Sequence, residues 1–124
     1  MASRILLSFA ALLMGLGGYM HAAAFGRANT MLATTTMPPF FTNSFKALWL
    51  ADSTTMVSLM LLLGLMAARP GLASPAVVAM LAVIPAAIGV LIYVFVGNFF
   101  AGHILIATAA AILSAAVLLE AGRI

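Results

Sequence analysis

The chain has 124 residues, of which 66% are hydrophobic and 6% are charged. Soluble globular domains carry charge on about a quarter of their residues, so this composition excludes that class. The net charge of +3 arises from cations that stand singly along the chain, and cysteine is absent, so a basic nucleic-acid-binding patch, disulfides and thiolate metal sites are excluded as well.

The first apolar run covers residues 5–25, between Arg4 and Arg27, and predicts a membrane helix. A cleavable signal peptide is the alternative, because a cation followed by apolar residues is also its pattern. The run is longer than the roughly 7–15 apolar residues of a signal peptide, which favours an uncleaved helix. Small residues at three- and four-residue spacing predict close approach of another helix: Ala11, Gly15, Gly18 and Ala22.

Residues 27–44 are predicted to form a long loop. A helix is not expected to continue through Pro38 and Pro39, because proline lacks a backbone N–H and its ring clashes with the preceding turn. The second apolar run, residues 45–67, predicts another membrane helix. It ends at Arg69, which is followed by a proline and a glycine.

The last two apolar runs predict helices at residues 75–97 and 102–120. Pro85 lies inside the first of these and predicts a kink there. Short connections make successive helices antiparallel neighbours. The predicted fold is an all-α membrane protein: one domain, residues 1–124, with four antiparallel transmembrane helices in a small bundle that contacts the lipid bilayer.

The distribution of cations predicts an orientation. Antiparallel helices place both termini on one side of the membrane, together with Arg4, Arg69 and Arg123. Arg27 and Lys46 lie on the other side. Because cytoplasmic loops carry an excess of Lys and Arg, this pattern favours cytoplasmic termini. The alanine-rich composition suggests a multi-pass protein of the bacterial inner membrane.

Asp52 is an acid inside a hydrophobic run, where a charge costs about 2.5–3.5 kcal/mol on insertion scales. Such residues usually face a bundle interior or a wet cavity, so Asp52 marks a predicted functional site. With a rise of about 1.5 Å per residue, His21 and Asp52 lie about 7–9 Å below the same membrane surface. Further polar side chains belong to that end of the helices, and the predicted site comprises His21, Trp49, Asp52, Tyr93, Asn98 and His103.

Two ligand-binding functions fit these residue types. One is a pocket for a quinone, a lipid or another apolar ring compound, whose polar head the His and Asp side chains would hydrogen-bond or protonate. Its expected lining is Met14, Trp49, Met56, Tyr93 and Phe95. The other is a redox site of a membrane oxidoreductase, in which His21 and His103 ligate a haem or, with Asp52, hold a non-haem metal ion.

A third function needs no ligand. Polar side chains in membrane bundles also fix helix packing, each contributing about 1 kcal/mol or less. The protein would then be an accessory or structural subunit of a larger membrane complex, and its small-residue helix faces would equally suit a homo-oligomer. The sequence leaves these three functions open.

Overall fold

The computed structural model describes residues 1–122, which are largely helical and contain no β-strand. The helices are α1 (Ala2–Ala33), α2 (Pro39–Ala68), α3 (Pro75–Leu81), α4 (Val83–Phe95) and α5 (Phe100–Ala121), with a short 3₁₀ helix at Pro70–Leu72. Four segments are long and apolar enough to cross a membrane: α1, α2, α3 together with α4, and α5. The predicted all-α fold with four spans is confirmed. Arg123 lies outside the described residues.

The spans pack in the order α2, α1, α5, and then α3 with α4. α1 packs along α2 on one side and α5 on the other, and α5 also packs against α3 and α4. The largest fully buried side chains follow these contacts and include Leu7, Met14, Leu63, Leu105 and Ile112. α1 and α5 are therefore the inner helices, and α2 is an outer one.

The long loop predicted at residues 27–44 is wrong. α1 continues to Ala33 and α2 begins at Pro39, so that only residues 34–38 connect them. Proline does interrupt a helix, but it also suits the first helical position, where its missing N–H has no intrahelical partner to lose. No glycine or proline stands between Arg27 and Ala33, so nothing there stops α1.

The hairpin of α1 and α2 is longer than a bilayer is thick. At about 1.5 Å per residue, its 32 and 30 residues extend about 48 and 45 Å, whereas the hydrocarbon core measures about 30 Å. Phe100, the first residue of α5, lines one cavity together with Ala24 and Trp49. Residues 25–48 of the hairpin therefore lie beyond the start of α5. We call this segment the projection. Its exposed large side chains include Met31, Met37, Phe40, Phe41 and Phe45.

The third span is interrupted near Pro85, as the proline predicts. α3 ends at Leu81 and α4 begins at Val83. Because Pro85 has no N–H, it cannot donate to the carbonyl one turn earlier, and its ring displaces that turn. Beyond the kink α4 packs closely on α5, since a Cβ atom added to Gly102 would lie 3.1 Å from Cε1 of Tyr93.

Candidate functional site

The centre of the candidate site is a pair of side chains that bridges α1 and α2. Nε2 of His21 lies 3.6 Å from Oδ2 of Asp52, and the two side chains are 27% and 29% exposed. This separation suits an ion pair and is longer than a direct hydrogen bond, whose usual limit is about 3.2 Å. The two residues that the sequence places at one membrane depth are therefore in electrostatic contact.

A glycine allows the two helices to approach closely enough for this contact. Gly18 is buried, and a Cβ atom added to it would lie 3.1 Å from Cβ of Met56 and 3.4 Å from the backbone oxygen of Ser53. The small-residue side of α1 predicted from the sequence thus faces α2 at this point. One turn further along α1, His21 meets the side chain of Ser53.

Ser53 orients the imidazole ring of His21. Its Oγ lies 2.9 Å from Nδ1 of His21 and donates to the backbone oxygen of Trp49 at 3.2 Å. Since a hydroxyl has one proton, both bonds form together only when Nδ1 carries a hydrogen and donates it to Oγ. Nε2 is then the ring nitrogen that faces the carboxyl group of Asp52.

Trp49 holds His21 from a second direction. The indole and imidazole rings stack with their centroids 4.4 Å apart and an interplanar angle of 14°. The indole Nε1 donates to the backbone oxygen of His21 at 2.8 Å. Trp49 therefore fixes both the ring and the backbone of His21, which gives it a positioning role.

Tyr93 and His103 form a second pair, on α4 and α5. The Tyr93 hydroxyl group and Nδ1 of His103 are hydrogen-bonded, and the ring centroids are 5.5 Å apart. His103 is exposed, as is Asn98 in the turn before α5. The structure thus unites His21 with Asp52 and places Tyr93 and His103 in a different contact.

The predicted metal triad does not form. In the part of the chain that the structure describes, no group of three His, Asp or Glu side chains could hold a metal ion. His21 and Asp52 meet, but His103 lies on the exposed side of α5. α5 buries Gly102, and one step along a helix turns the next side chain by about 100°. The alanines near His103 suit either lipid or a neighbouring helix, so they do not specify which way it faces.

A cavity of about 270 Å³ lies beside the His21–Trp49 stack, among α1, α2 and the start of α5. Its lining residues are Met14, Gly17, Met20, His21, Ala24, Trp49, Met56, Phe99, Phe100, Ala101, Ile104 and Leu105. Among these described residues His21 is the one ionisable side chain, and the indole N–H of Trp49 is already bonded to backbone. The cavity is therefore apolar apart from one ionisable side chain, that of His21.

The predicted lining is partly realised. Met14, Trp49 and Met56 line the cavity as expected. Tyr93 instead packs on α5, and Phe95 is 81% exposed. Phe99 and Phe100 are the aromatic residues that the sequence interpretation missed, although their position at the start of the fourth span puts them at the depth of the site.

The arrangement combines an apolar chamber with one ionisable side chain at its wall, His21, which also contacts Asp52 outside the chamber. Such a chamber can enclose a ring, and His21 is the side chain through which the pair can exchange a proton with its polar substituent. Comparison of the chain with protein-family models, curated proteins and solved structures found no match, so its function has to be inferred from its own geometry.

Proposed function

We propose that this small membrane protein binds an apolar ring compound with a carbonyl or hydroxyl group, for which a quinone head group is representative. The observation that carries the proposal is the cavity of about 270 Å³ beside the stacked rings of His21 and Trp49. Small-molecule sites usually measure about 300–1,000 Å³. The size therefore favours a ring with few substituents over a whole lipid molecule.

The chemistry of the lining supports a flat ligand. Met20 and Met56 present thioethers, which adapt to irregular shapes and contact aromatic rings favourably. Phe99, Phe100 and Trp49 present aromatic rings, which pair with another ring in offset or edge-to-face geometry. A planar apolar ring can make both kinds of contact. A charged ligand would lose its hydration shell in the cavity and would gain a single ionisable partner, His21, in return.

The His21–Asp52 pair supplies the polar interaction. With Nδ1 of His21 bonded to Ser53, Nε2 is the ring nitrogen left for Asp52 or for a ligand. Because Asp52 does not line the cavity, a ligand carbonyl would accept a hydrogen bond from Nε2 of His21, and Asp52 would stabilise the proton there. His21 and Asp52 are the residues proposed for proton exchange, and Ser53 and Trp49 are positioning residues.

The packing of the spans supports entry of a ligand from the bilayer. α2 and α5 both line the cavity, yet α2 packs chiefly on α1, and α5 packs on α1, α3 and α4. The space between α2 and α5 would admit an apolar ligand sideways from the lipid.

The proposal is tested by filling the cavity. Gly17 lines it, and a Cβ atom added there would lie at an ordinary contact distance of 3.5 Å from Sδ of Met56. Gly17→Leu therefore directs a side chain into the cavity without forcing α1 and α2 apart. Gly26→Leu is the matched control on the same helix, since an added Cβ at Gly26 meets nothing within 4 Å and Gly26 does not line the cavity.

Trp49 is the single tryptophan of the chain and lies at the cavity wall, so its fluorescence reports directly on the site. We expect a short-chain benzoquinone to quench it saturably in the parent and in Gly26→Leu. In Gly17→Leu the affinity should fall about tenfold or more, because overfilling a packed space costs about 1–3 kcal/mol. Identical quenching curves for all three proteins would refute the proposal.

A second candidate function is that of an accessory subunit in a larger membrane complex. The observation that favours it is the projection, which extends past the start of α5 and carries exposed Phe40, Phe41 and Phe45. In that case the polar pairs would serve helix packing alone, and Gly17→Leu would leave every ligand measurement unchanged.

We also propose cytoplasmic termini in a bacterial inner membrane. The cations support this orientation, because Arg4, Arg69 and Arg123 outnumber Arg27 and Lys46 on the other side. The candidate site and the projection would then lie toward the periplasm. A reporter that works only in the cytoplasm should be active when it is fused to the C-terminus of the chain. Activity of a reporter that works only in the periplasm would reverse the orientation.

A further inference from the structure

A second concave surface lies at the opposite end of the α1–α2 hairpin. It is a groove of about 670 Å³ between the first turns of α1 and the last turns of α2. Its lining includes Arg4, Ile5, Ser8, Phe9, Leu12 and Gly64. Arg4 and Ala24 are 20 residues apart along α1, which corresponds to about 30 Å, the thickness of the hydrocarbon core. The cationic end of the groove therefore lies at the membrane surface opposite the candidate site.

The backbone of α2 orients Arg4. Nε of Arg4 donates to the backbone oxygen of Ala67 at 2.8 Å, in the last turn of α2. Carbonyl groups at a helix C-terminus lack intrahelical partners and carry partial negative charge, so they hold a cation there. This bond does not use the two terminal nitrogens of the guanidinium group, which form the planar fork that binds phosphate.

The rest of the groove is apolar and open to lipid. Ile5 is 60% exposed and Leu12 is 72% exposed, and both point away from the protein core on a membrane-spanning helix. Among the described residues that line the groove, Arg4 is cationic, Ser8 offers a hydroxyl, and no acid is present. The groove thus has a positive mouth at the membrane surface and an apolar wall that runs into the bilayer.

We propose that this groove binds one anionic phospholipid, with the phosphate at the terminal nitrogens of Arg4 and one acyl chain along Phe9, Leu12 and Gly64. The hydroxyl of Ser8 lies in the same groove and can donate to a phosphate or ester oxygen. Basic pockets at the ends of membrane helices select anionic head groups by this combination of charge and apolar surface. The apolar wall distinguishes a lipid from free phosphate, which would use the mouth of the groove alone.

The experiment compares lipids and variants of the full chain in detergent by native mass spectrometry, with phosphatidylglycerol and phosphatidylcholine as probes. Arg4→Gln removes the charge at the groove, and Arg27→Gln removes one charge at the other membrane surface. Gly64→Leu fills the groove without changing charge, because an added Cβ at Gly64 meets nothing within 4 Å. Gly26→Leu is its matched control, since an added Cβ there also meets open space.

We expect the parent, Arg27→Gln and Gly26→Leu to retain one phosphatidylglycerol in preference to phosphatidylcholine. Arg4→Gln should lose about fivefold or more in affinity, the effect of about one basic residue at a membrane surface. Gly64→Leu should lose affinity for phosphatidylglycerol although its charge is unchanged. Should Arg4→Gln fail to accumulate, the Gly64→Leu comparison decides alone.

Four results would overturn the proposal. The first is equal retention of both lipids by the parent. The second is an equal loss in Arg4→Gln and Arg27→Gln, which would indicate general surface charge. The third is unchanged binding in Gly64→Leu, and the fourth is full displacement of the lipid by inorganic phosphate. Either of these last two would reduce the site to an anion contact at Arg4.

Discussion

Nδ1 of His21 and Oγ of Ser53 lie 2.9 Å apart across the α1–α2 interface. Because the Ser53 hydroxyl also donates to the backbone oxygen of Trp49, this contact fixes which nitrogen of His21 faces Asp52. One hydroxyl group therefore determines which ring nitrogen of His21 is left to meet the carboxyl group.

Ser53→Ala should weaken ligand binding more than it weakens the fold. The change removes the acceptor of His21 Nδ1, and the net value of one such hydrogen bond is about 0.5–1.5 kcal/mol. The control is Thr54→Ala, since the exposed Thr54 hydroxyl bonds only to the backbone oxygen of Leu50 on its own helix. Benzoquinone quenching of Trp49 measures the difference, and equal affinities in the two variants would argue against an orienting role for Ser53.

Asp52→Asn should insert and assemble, yet lose ligand affinity. Asparagine keeps the shape of the side chain but removes the charge, so that position 52 no longer stabilises a proton on Nε2 of His21. Interactions with a charged group contribute about 1.5–3 kcal/mol, which corresponds to about tenfold to a hundredfold in affinity.

His21→Gln should reproduce the loss seen in Asp52→Asn, and the double variant should lose little more, because the two residues act as one unit. The measurement is a double-mutant cycle on quinone affinity. Parent-like binding in both single variants would favour the packing function. Failure of both to accumulate in the membrane would show that the pair holds α1 and α2 together.

Gly18→Ala should lower the thermal stability of the protein in detergent. The added Cβ would lie 3.1 Å from Cβ of Met56 and 3.2 Å from Cγ2 of Val57, so these neighbours on α2 must give way by a few tenths of an ångström. Overpacking of this kind costs about 1–3 kcal/mol. Gly26→Ala, where the added Cβ meets open space, should leave the melting temperature unchanged or raise it, because alanine favours helix. The reverse order of melting temperatures would show that α1 and α2 are not closely packed at Gly18.

Tyr93→Phe and His103→Gln should leave quinone affinity unchanged. Both residues belong to the α4–α5 pair, and neither lines the cavity. The sequence interpretation expects the opposite result, because it places all the polar residues at this membrane level in one site. A loss of affinity in either variant, with normal accumulation, would join the two pairs into a single site.

The sequence predicted the spans well because each one is an apolar run whose length matches the bilayer. The contact of His21 with Asp52 also followed from sequence, since the two residues are almost equally far along the chain from the connection between α1 and α2. The expected and the observed helix ends both preserve this equality. The error at residues 27–44 has a different source. Proline ends one helix and begins another equally well, so Pro38 and Pro39 could mark a short turn or a long loop.

The direction in which His103 faces could not be predicted from the sequence. In a soluble helix, an apolar stripe indicates the buried side, but in a membrane both sides are apolar. The exposed alanines and the buried alanines of α5 are indistinguishable in sequence, and Ala107 and Ala110 are exposed whereas Ala109 and Ala111 are buried. The direction in which His103 faces is therefore set by packing alone.

Photolabelling tests the central claim most directly. A photoreactive benzoquinone bound to the parent protein should, after irradiation and peptide mapping, label residues 14–24 of α1 and residues 99–105 at the start of α5, which line the cavity together. Excess unmodified benzoquinone and the Gly17→Leu substitution should each abolish this labelling. Labelling that concentrates on α4, or that persists in Gly17→Leu at the parent level, would contradict a ligand site beside His21 and Trp49.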